Sequence, residues 1–418
     1  MSETRREDSG HRSETSMYRR DYGLWALTFS YVLSQFFRSY VAVISTELIA
    51  DFRFTPAMFG WFAGAFFLVF AIVQIPVGML FDRFGVRVPT AALMGVGALS
   101  ASLLSSTTHA WVAIVAQAGI GLGCAPIFMG LLNHALASGA GPAQTRAVTI
   151  ASAIGMAGAL AAASPLGQLT AQVGWRPAMM VAAAAMFCGT LGVARFVKRR
   201  ESLGHASPTV ATRRAPFRRN GRFWTLAPAC LAMSVGGTFR TSWGGPYLAD
   251  VFHFDIVARG NAMTIASVVG TGASFCIPVM VRYGAPKRIS LIWLLAGALA
   301  ALVLAVVPDA SSALGVGLIC VLFSVGSIHP LVMSQARAIV PASRLGLALG
   351  LLNSLVFLGV ALASGGFGRI AGALRLANVP AAQVYAPLFA TAALPLVIGA
   401  AVYAFSPAAP IQRLRNRA

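Results

Sequence analysis

One feature limits the fold of this chain more than any other. Apolar stretches of about 20 residues, each long enough to cross a hydrocarbon layer of about 30 Å as a helix, follow one another along its whole length. Twelve spans are predicted, at approximately 22–47, 56–81, 88–107, 111–136, 147–171, 177–197, 223–248, 260–281, 288–307, 313–337, 345–368 and 383–405. In lipid each backbone N–H and C=O has to be satisfied inside the protein, so a chain of this pattern folds as an all-α membrane protein. Its composition agrees: 57% of residues are hydrophobic and 11% charged, against roughly 25% charged in a soluble domain.

The net charge of +20 raises the question of nucleic acid, and the placement of the basic residues argues against it. With the N-terminus inside, 25 of the 32 Lys and Arg residues fall on segments of that side. Five lie opposite (Arg53, Arg176, Arg259, Arg369 and Arg375), and two, Arg38 and Arg240, lie within spans. This is the asymmetry that orients spans in a membrane, so a multi-pass protein of a bacterial-type inner membrane is expected, with both termini cytoplasmic and basic loops against anionic lipid. The tail before Tyr22 is too polar for a signal peptide. The five cysteines fall in apolar runs without a CxxC spacing, which predicts buried thiols and neither a disulfide nor a metal site. No nucleophile elbow, phosphate loop or metal-ligand spacing points to an enzyme. The expected partners are membrane lipid and a small substrate, with no cofactor and no nucleic acid.

A constant shift of 202 residues relates two halves: Phe37-Arg38-Ser39 to Phe239-Arg240-Thr241, and Ile75-Pro76-Val77 to Ile277-Pro278-Val279. The organisation read from this is a tail over 1–21, a six-helix half over 22–197, a basic linker over 198–222, a second six-helix half over 223–405 and a tail over 406–418. Two pseudo-symmetric halves joined in this way can rock about a site at mid-depth.

Between the second and third spans stands GMLFDRFGVR, residues 78–87. Its glycines permit a tight turn and its charges a network at helix ends. Gly78, Asp82, Arg83, Gly85 and Arg87 match the motif G-x-x-x-D-R-x-G-x-R, and with twelve spans the chain resembles the major facilitator superfamily. The resemblance implies twelve helices in two halves, a monomer, transport by alternating access, and a gating role for these five residues. The counterpart IPVMVRYGAPKR (277–288) lacks the aspartate. Spans four and five resemble the patterns of drug and proton antiporters only loosely.

An arginine at mid-span costs about 2.5–3.5 kcal/mol on insertion scales and does not escape by losing its proton. None of the twelve acids lies deep inside a predicted span; Glu47 and Asp250 are the nearest along the same helices, about 13–15 Å away. Two cations at similar depth, related by the repeat and lacking a local counter-ion, suit an anion held by paired hydrogen bonds. The structural alternative is that the arginines bond carbonyls or aromatic faces such as Tyr40 and Trp243. Tyr31 and Gln35 share the helical face of Arg38. Asn133 and Gln335, related by the same shift, and Asn353 are further candidate cavity residues, each of which could equally bond between helices. His329 is the candidate for proton coupling, being able to change charge near neutral pH within a span.

Paired arginines on the first and seventh helices resemble the organophosphate:phosphate antiporters, whose pair holds a phosphate. Both lysines of this chain, Lys198 and Lys287, fall between spans, so phosphate esters stand beside carboxylates and the sulfonates of the related anion:cation symporters. The function expected is transport of a small organic anion, by proton symport as a symporter or by exchange as an antiporter, and more in the direction of uptake. The alternatives are an efflux carrier for a drug or metabolite and a transporter-like ligand sensor.

Overall fold

The computed structural model describes residues 21–137, 142–198, 221–341 and 344–407. Nearly all of the predicted linker and tails lie outside the described residues. Among the described residues all regular structure is helical. The first set comprises α1 (Tyr22–Val43), α2 (Ser45–Phe52), α3 (Pro56–Phe84), α4 (Arg87–Ser106), α5 (Ala110–Leu136), α6 (Pro142–Ala161), α7 (Ser164–Val173) and α8 (Trp175–Phe196). The second comprises α9 (Gly221–Trp224), α10 (Ala227–Thr238), α11 (Gly244–Phe252), α12 (Ile256–Tyr283), α13 (Pro286–Val306), α14 (Ser312–Ser324), α15 (His329–Ile339), α16 (Leu345–Leu376) and α17 (Ala381–Ala404). A π turn, Phe239–Trp243, joins α10 to α11, and a 3-10 turn, Val325–Ile328, joins α14 to α15.

Side chains start these helices where the sequence supplies them. The Asp21 carboxylate accepts the Leu24 N–H at 3.0 Å, the Asp255 carboxylate that of Ala258 at 2.7 Å, and the Ser311 hydroxyl that of Leu314 at 3.2 Å. Gly85, at φ +71°, closes α3 with its N–H on the Phe81 carbonyl.

Among the described residues ten helical stretches are long and apolar enough to cross a membrane. The predicted first and seventh spans are absent from those ten, and they are the two that carry an arginine at mid-span. Both are also irregular: the first breaks at Ile44, between α1 and α2, and the seventh runs through the π turn. Outward surfaces are apolar, with Leu99, Val115, Leu299 and Leu362 exposed and Trp111 at the start of α5, as lipid contact and an interfacial aromatic belt require. Cys188 and Cys276 belong to that exposed surface, which corrects the expectation that all five thiols are buried; Cys124, Cys230 and Cys320 are interior.

Across the two sets α3 runs along α16, α7 along α12, and α1 against the π turn. The contacts gather at the end of the molecule away from the chain termini. There Gly60 of α3 meets Gly368 of α16, with no room for a side chain on either. Gly245 lies directly on the Ala42 carbonyl. Ser164 gives its N–H to Thr264 at 3.0 Å and its hydroxyl to Asn261 at 2.8 Å. Arg259 of α12, 2% exposed, grips both carboxylate oxygens of Glu47 at 2.6 and 2.9 Å and also reaches the Thr46 hydroxyl. Nearer mid-depth the Ser354 hydroxyl donates to the Ala71 carbonyl at 3.3 Å.

Candidate functional site

Arg38 is sixteen residues into the first helix, and a regular α-helical backbone carries it. Its guanidinium lies 4.4 Å from the ring centre of Phe70 on α3 and 5.0 Å from that of Phe357 on α16. The two rings, one from each set, are themselves 4.6 Å apart, and Phe67 stacks on Phe357 at 6.4 Å. One ring from each set therefore meets the charge, both on the same side of it, each an attraction of about 0.5–2 kcal/mol depending on desolvation. Hydrogen bonding is left to the guanidinium edge, where Nε has no partner. Arg38 is nonetheless only half-buried, so it borders a space between the sets.

Arg240 occupies the second position of the π turn. Three hydroxyls undo the regular helix here: Thr238 donates to the Ser234 carbonyl at 2.9 Å, Thr241 to Gly237 at 2.8 Å and Ser242 to Thr238 at 2.9 Å. Hydroxyls that bond back four residues loosen and bend a helix. The Gly244 N–H then closes on the Phe239 carbonyl, five residues back, and a side chain at Gly244 would stand 2.5 Å from that same oxygen. Such π turns recur at functional sites because the added residue re-aims the side chains beyond it. Arg240 is half-buried too. It lies within electrostatic reach of Arg38, and the Tyr31 hydroxyl is reached by both. The ion pairs among the described residues are His134–Asp21, Arg176–Asp51, Arg259–Glu47 and Arg375–Asp250, so no carboxylate pairs with either arginine.

The other candidate residues divide. Tyr31 accepts from Gln35 Nε2 at 2.8 Å, the same amide reaches the Met156 sulfur at 3.3 Å, and Gln35 Oε1 stays without a partner. Trp243 stands one turn beyond Arg240 toward the closed end, edge-on to Phe59 at 5.4 Å and to Phe367 at 6.0 Å. It roofs the space, and its Nε1 is buried and unpartnered. His329 opens α15 beside the Asn353 amide, with Nε2 buried and unpartnered. Tyr40 is turned into the first set, where its hydroxyl bonds Gln117. Gln335 is held by Tyr403, Ser406 and the Pro407 carbonyl within the second set, whereas Asn133, its partner by the repeat, is exposed on the last turns of α5. The rings that meet Arg38 are thus Phe70 and Phe357, not Tyr40 or Trp243.

In the motif at 78–87, Asp82 and Arg83 are exposed, Arg83 lies 5.1 Å from the Phe84 ring centre, and Arg87 is half-buried. Asp82 enters none of the ion pairs above, and no atom comes within 4 Å of where a Gly78 side chain would begin. Arg38 and Arg240 are thus half-buried where the sets meet, with Gln35 Oε1, Trp243 Nε1 and Arg38 Nε unpartnered. Such a pair of cations can accept an acidic group, and the His329 imidazole can exchange a proton. Among the described residues no cluster of His, Cys, Asp and Glu could hold a metal.

The Major Facilitator Superfamily pattern matches residues 27–364, and the chain belongs to that superfamily. It is a multi-pass membrane transporter, not an enzyme. Among curated proteins it is 29% identical over 155 residues to the cephamycin export protein CmcT of Amycolatopsis lactamdurans, a match covering 36% of this chain and about a third (32%) of that protein's length. Among solved structures, a bacterial homologue of the human lysosomal transporter Spinster, in an inward-facing and occupied conformation, superposes with a TM-score of 0.74 at 17% identity, over 93% of this chain and 96% of that one. The nucleoside transporter NupG superposes with a TM-score of 0.74 at 13% identity, over 92% of this chain and 99% of that one. At such identities the two structures share the fold alone.

Proposed function

We propose that this major facilitator superfamily transporter moves a small organic anion across the membrane by alternating access, with Arg38 and Arg240 as the counter-charges of the anion. One observation carries the reading: a half-buried arginine from each half at mid-span, within electrostatic reach of the other and without a carboxylate partner. Two like charges held together in a low-dielectric space repel, and an anion between them turns the repulsion into attraction and draws the halves together. Tyr31, Gln35 and Trp243 supply neutral hydrogen-bonding atoms near it. His329, with a free Nε2 beside Asn353, is the proton carrier if uptake is by symport; without it the same site exchanges one anion for another. Gly78, Asp82, Arg83, Gly85 and Arg87 gate the end that bears the termini, taken to be cytoplasmic from the distribution of basic residues.

A second reading, outward movement of a metabolite, is favoured by the likeness to a cephamycin export protein. The site serves either direction, since gradients set the sign of transport.

Ligand-induced thermal stabilisation of the purified protein tests the proposal, with a panel of carboxylates, phosphate esters and sulfonates set against neutral and cationic compounds. One anion class stabilising the parent and neither Arg38→Gln nor Arg240→Gln is the expected result. Stabilisation by neutral or cationic compounds alone, or variants that respond like the parent, would overturn it.

A further inference from the structure

The surroundings of Arg38 narrow the anion further. We infer that the substrate is an organic acid with a flat, apolar body: its acidic group meets Arg38 and Arg240 while its body lies along the half-buried ring of Phe357, which the buried Phe67 and Phe70 back. The inference rests on the anion site proposed above and specifies its substrate class.

Three observations support it. Phe70 and Phe357, one from each half, lie 4.4 and 5.0 Å from the Arg38 guanidinium and 4.6 Å from each other, so both rings stand on one side of it and N–H donors on its other side are left for the ligand. A planar carboxylate fits that edge through paired hydrogen bonds. Phe67, itself buried, backs Phe357 by stacking on it, so the half-buried Phe357 is the hydrocarbon surface open beside the charge. The polar side chains nearby are mostly engaged within the protein: Gln35 Nε2 with Tyr31 and Met156, Tyr40 with Gln117, and Thr238, Thr241 and Ser242 with backbone carbonyls. Gln35 Oε1, Trp243 Nε1, the Ser34 and Ser39 hydroxyls and His329 Nε2 remain without partners, single polar atoms on separate side chains. That suits a body with a few polar atoms on an apolar frame. A polyhydroxylated body, such as that of a sugar phosphate, would give up its hydration here for very little in return, and a buried polar group left unpaired is costly.

Phe357 also gives the class a part in the mechanism. It approaches Arg38 from the opposite half, so a ring slotted beside it is held by both halves at once, as a substrate that couples their movement must be.

The test compares three probes on the full chain in detergent or nanodiscs: phenylacetate, acetate and glycerol 3-phosphate, each titrated by thermal shift. Phenylacetate is expected to act at about tenfold lower concentration than either of the others, since an aromatic contact together with ring burial is worth at least a factor of that order. Phe357→Leu is expected to erase most of that margin while acetate binding stays, and Arg38→Gln to remove the response to all three. Should Phe357→Leu fail to fold, Phe67→Leu is read in its place, and the probe series on the unaltered protein decides the class without any variant. If acetate or glycerol 3-phosphate binds as tightly as phenylacetate and still needs the arginines, the inference falls and the anion site stands. If no probe gives an arginine-dependent response, the site reading falls with it. A preference for phenylacetate that survives Phe357→Leu and Phe67→Leu would refute the placement of the body on these rings.

Discussion

The first and seventh helices carry matching sequences, Phe37-Arg38-Ser39 and Phe239-Arg240-Thr241, and the structure treats them differently. The first reaches across the molecule. Its arginine lies against Phe357 of the other set, and its outer extension places Glu47 on Arg259 of that set. The seventh touches the first set too, through Trp243 on Phe59 and Gly245 on the Ala42 carbonyl, but its outer carboxylate stays with its own set, Asp250 bonding Arg375 and Tyr385, and among the described residues no ring contact of Arg240 matches that of Arg38. Its irregularity is internal, a π turn, whereas that of the first helix is a break at Ile44. Pseudo-symmetry of sequence therefore delivers two charges to similar depth without making their surroundings equivalent. The first helix carries its charged groups across to the other half, and the seventh keeps its outer carboxylate within its own half and presents Arg240 on a re-aimed turn.

The two outer carboxylates give the sharpest way to break this comparison. Glu47→Gln leaves Arg259, 2% exposed, as a buried charge without a counter-ion, at a cost of about 3 kcal/mol to the closed form. Asp250→Asn loosens a pair whose arginine is 47% exposed and should cost under about 1 kcal/mol. Thermal denaturation measures both, and labelling of a cysteine placed at Ser164 should accelerate in the first variant only. Equal effects would mean that the two ends do the same work.

Next come the arginines themselves. Arg38→Lys gives up the planar group that lies against two rings and is expected to weaken anion binding about tenfold. Arg240→Lys keeps most of what Arg240 contributes as a charge and should stay within about threefold. Titration of the best anion against each variant reads the difference, and the reverse order would reassign the dominant contact to the seventh helix.

Smaller still is the effect on the π turn. Gly244→Ala sets a methyl 2.5 Å from the Phe239 carbonyl and should cost about 1 kcal/mol, with weaker anion binding because Arg240 is re-aimed. A variant that melts lower but binds as before would separate the turn from the site. The smallest effect lies at the start of the first helix, where the His134 hydrogen bond holds the Asp21 carboxyl below the ordinary carboxylate range. A lowered folded-state pKa contributes stability that is fully present above the unfolded pKa and is lost as pH falls through the folded one. Asp21→Asn keeps a cap for Leu24 and should flatten the loss of thermal stability as the solution is acidified below about pH 4. An unchanged acid profile would show that the pair contributes nothing to it.

The candidate site was legible where the signal was local. Arg38 stands out as a charge inside an apolar run. Tyr31 and Gln35 follow from helical spacing, since residues three, four and seven apart share a face. Gln335 and Asn133 were picked by the same repeat, yet one is enclosed by Tyr403 and Ser406 and the other is exposed, because helical spacing does not say which face a neighbour will cover. Phe67, Phe70 and Phe357 carried no signal in a chain that is 10% aromatic. Glu47 and Arg259 were visible only as charges near span ends. Their pairing joins residues 212 apart, and nothing local announces it.

By itself, then, the sequence determined the class of fold, the all-helical course of the chain and the depth of the two arginines, because crossing a bilayer is a matter of hydropathy and length summed over about 20 neighbouring residues. Tertiary structure alone decided which rings meet Arg38, that helix seven unwinds into a π turn at Arg240, and that Glu47 is spent on Arg259 and not on either arginine of the site. These are contacts between distant segments, set by how closely glycine-faced helices approach and which polar atoms remain open once the halves have packed.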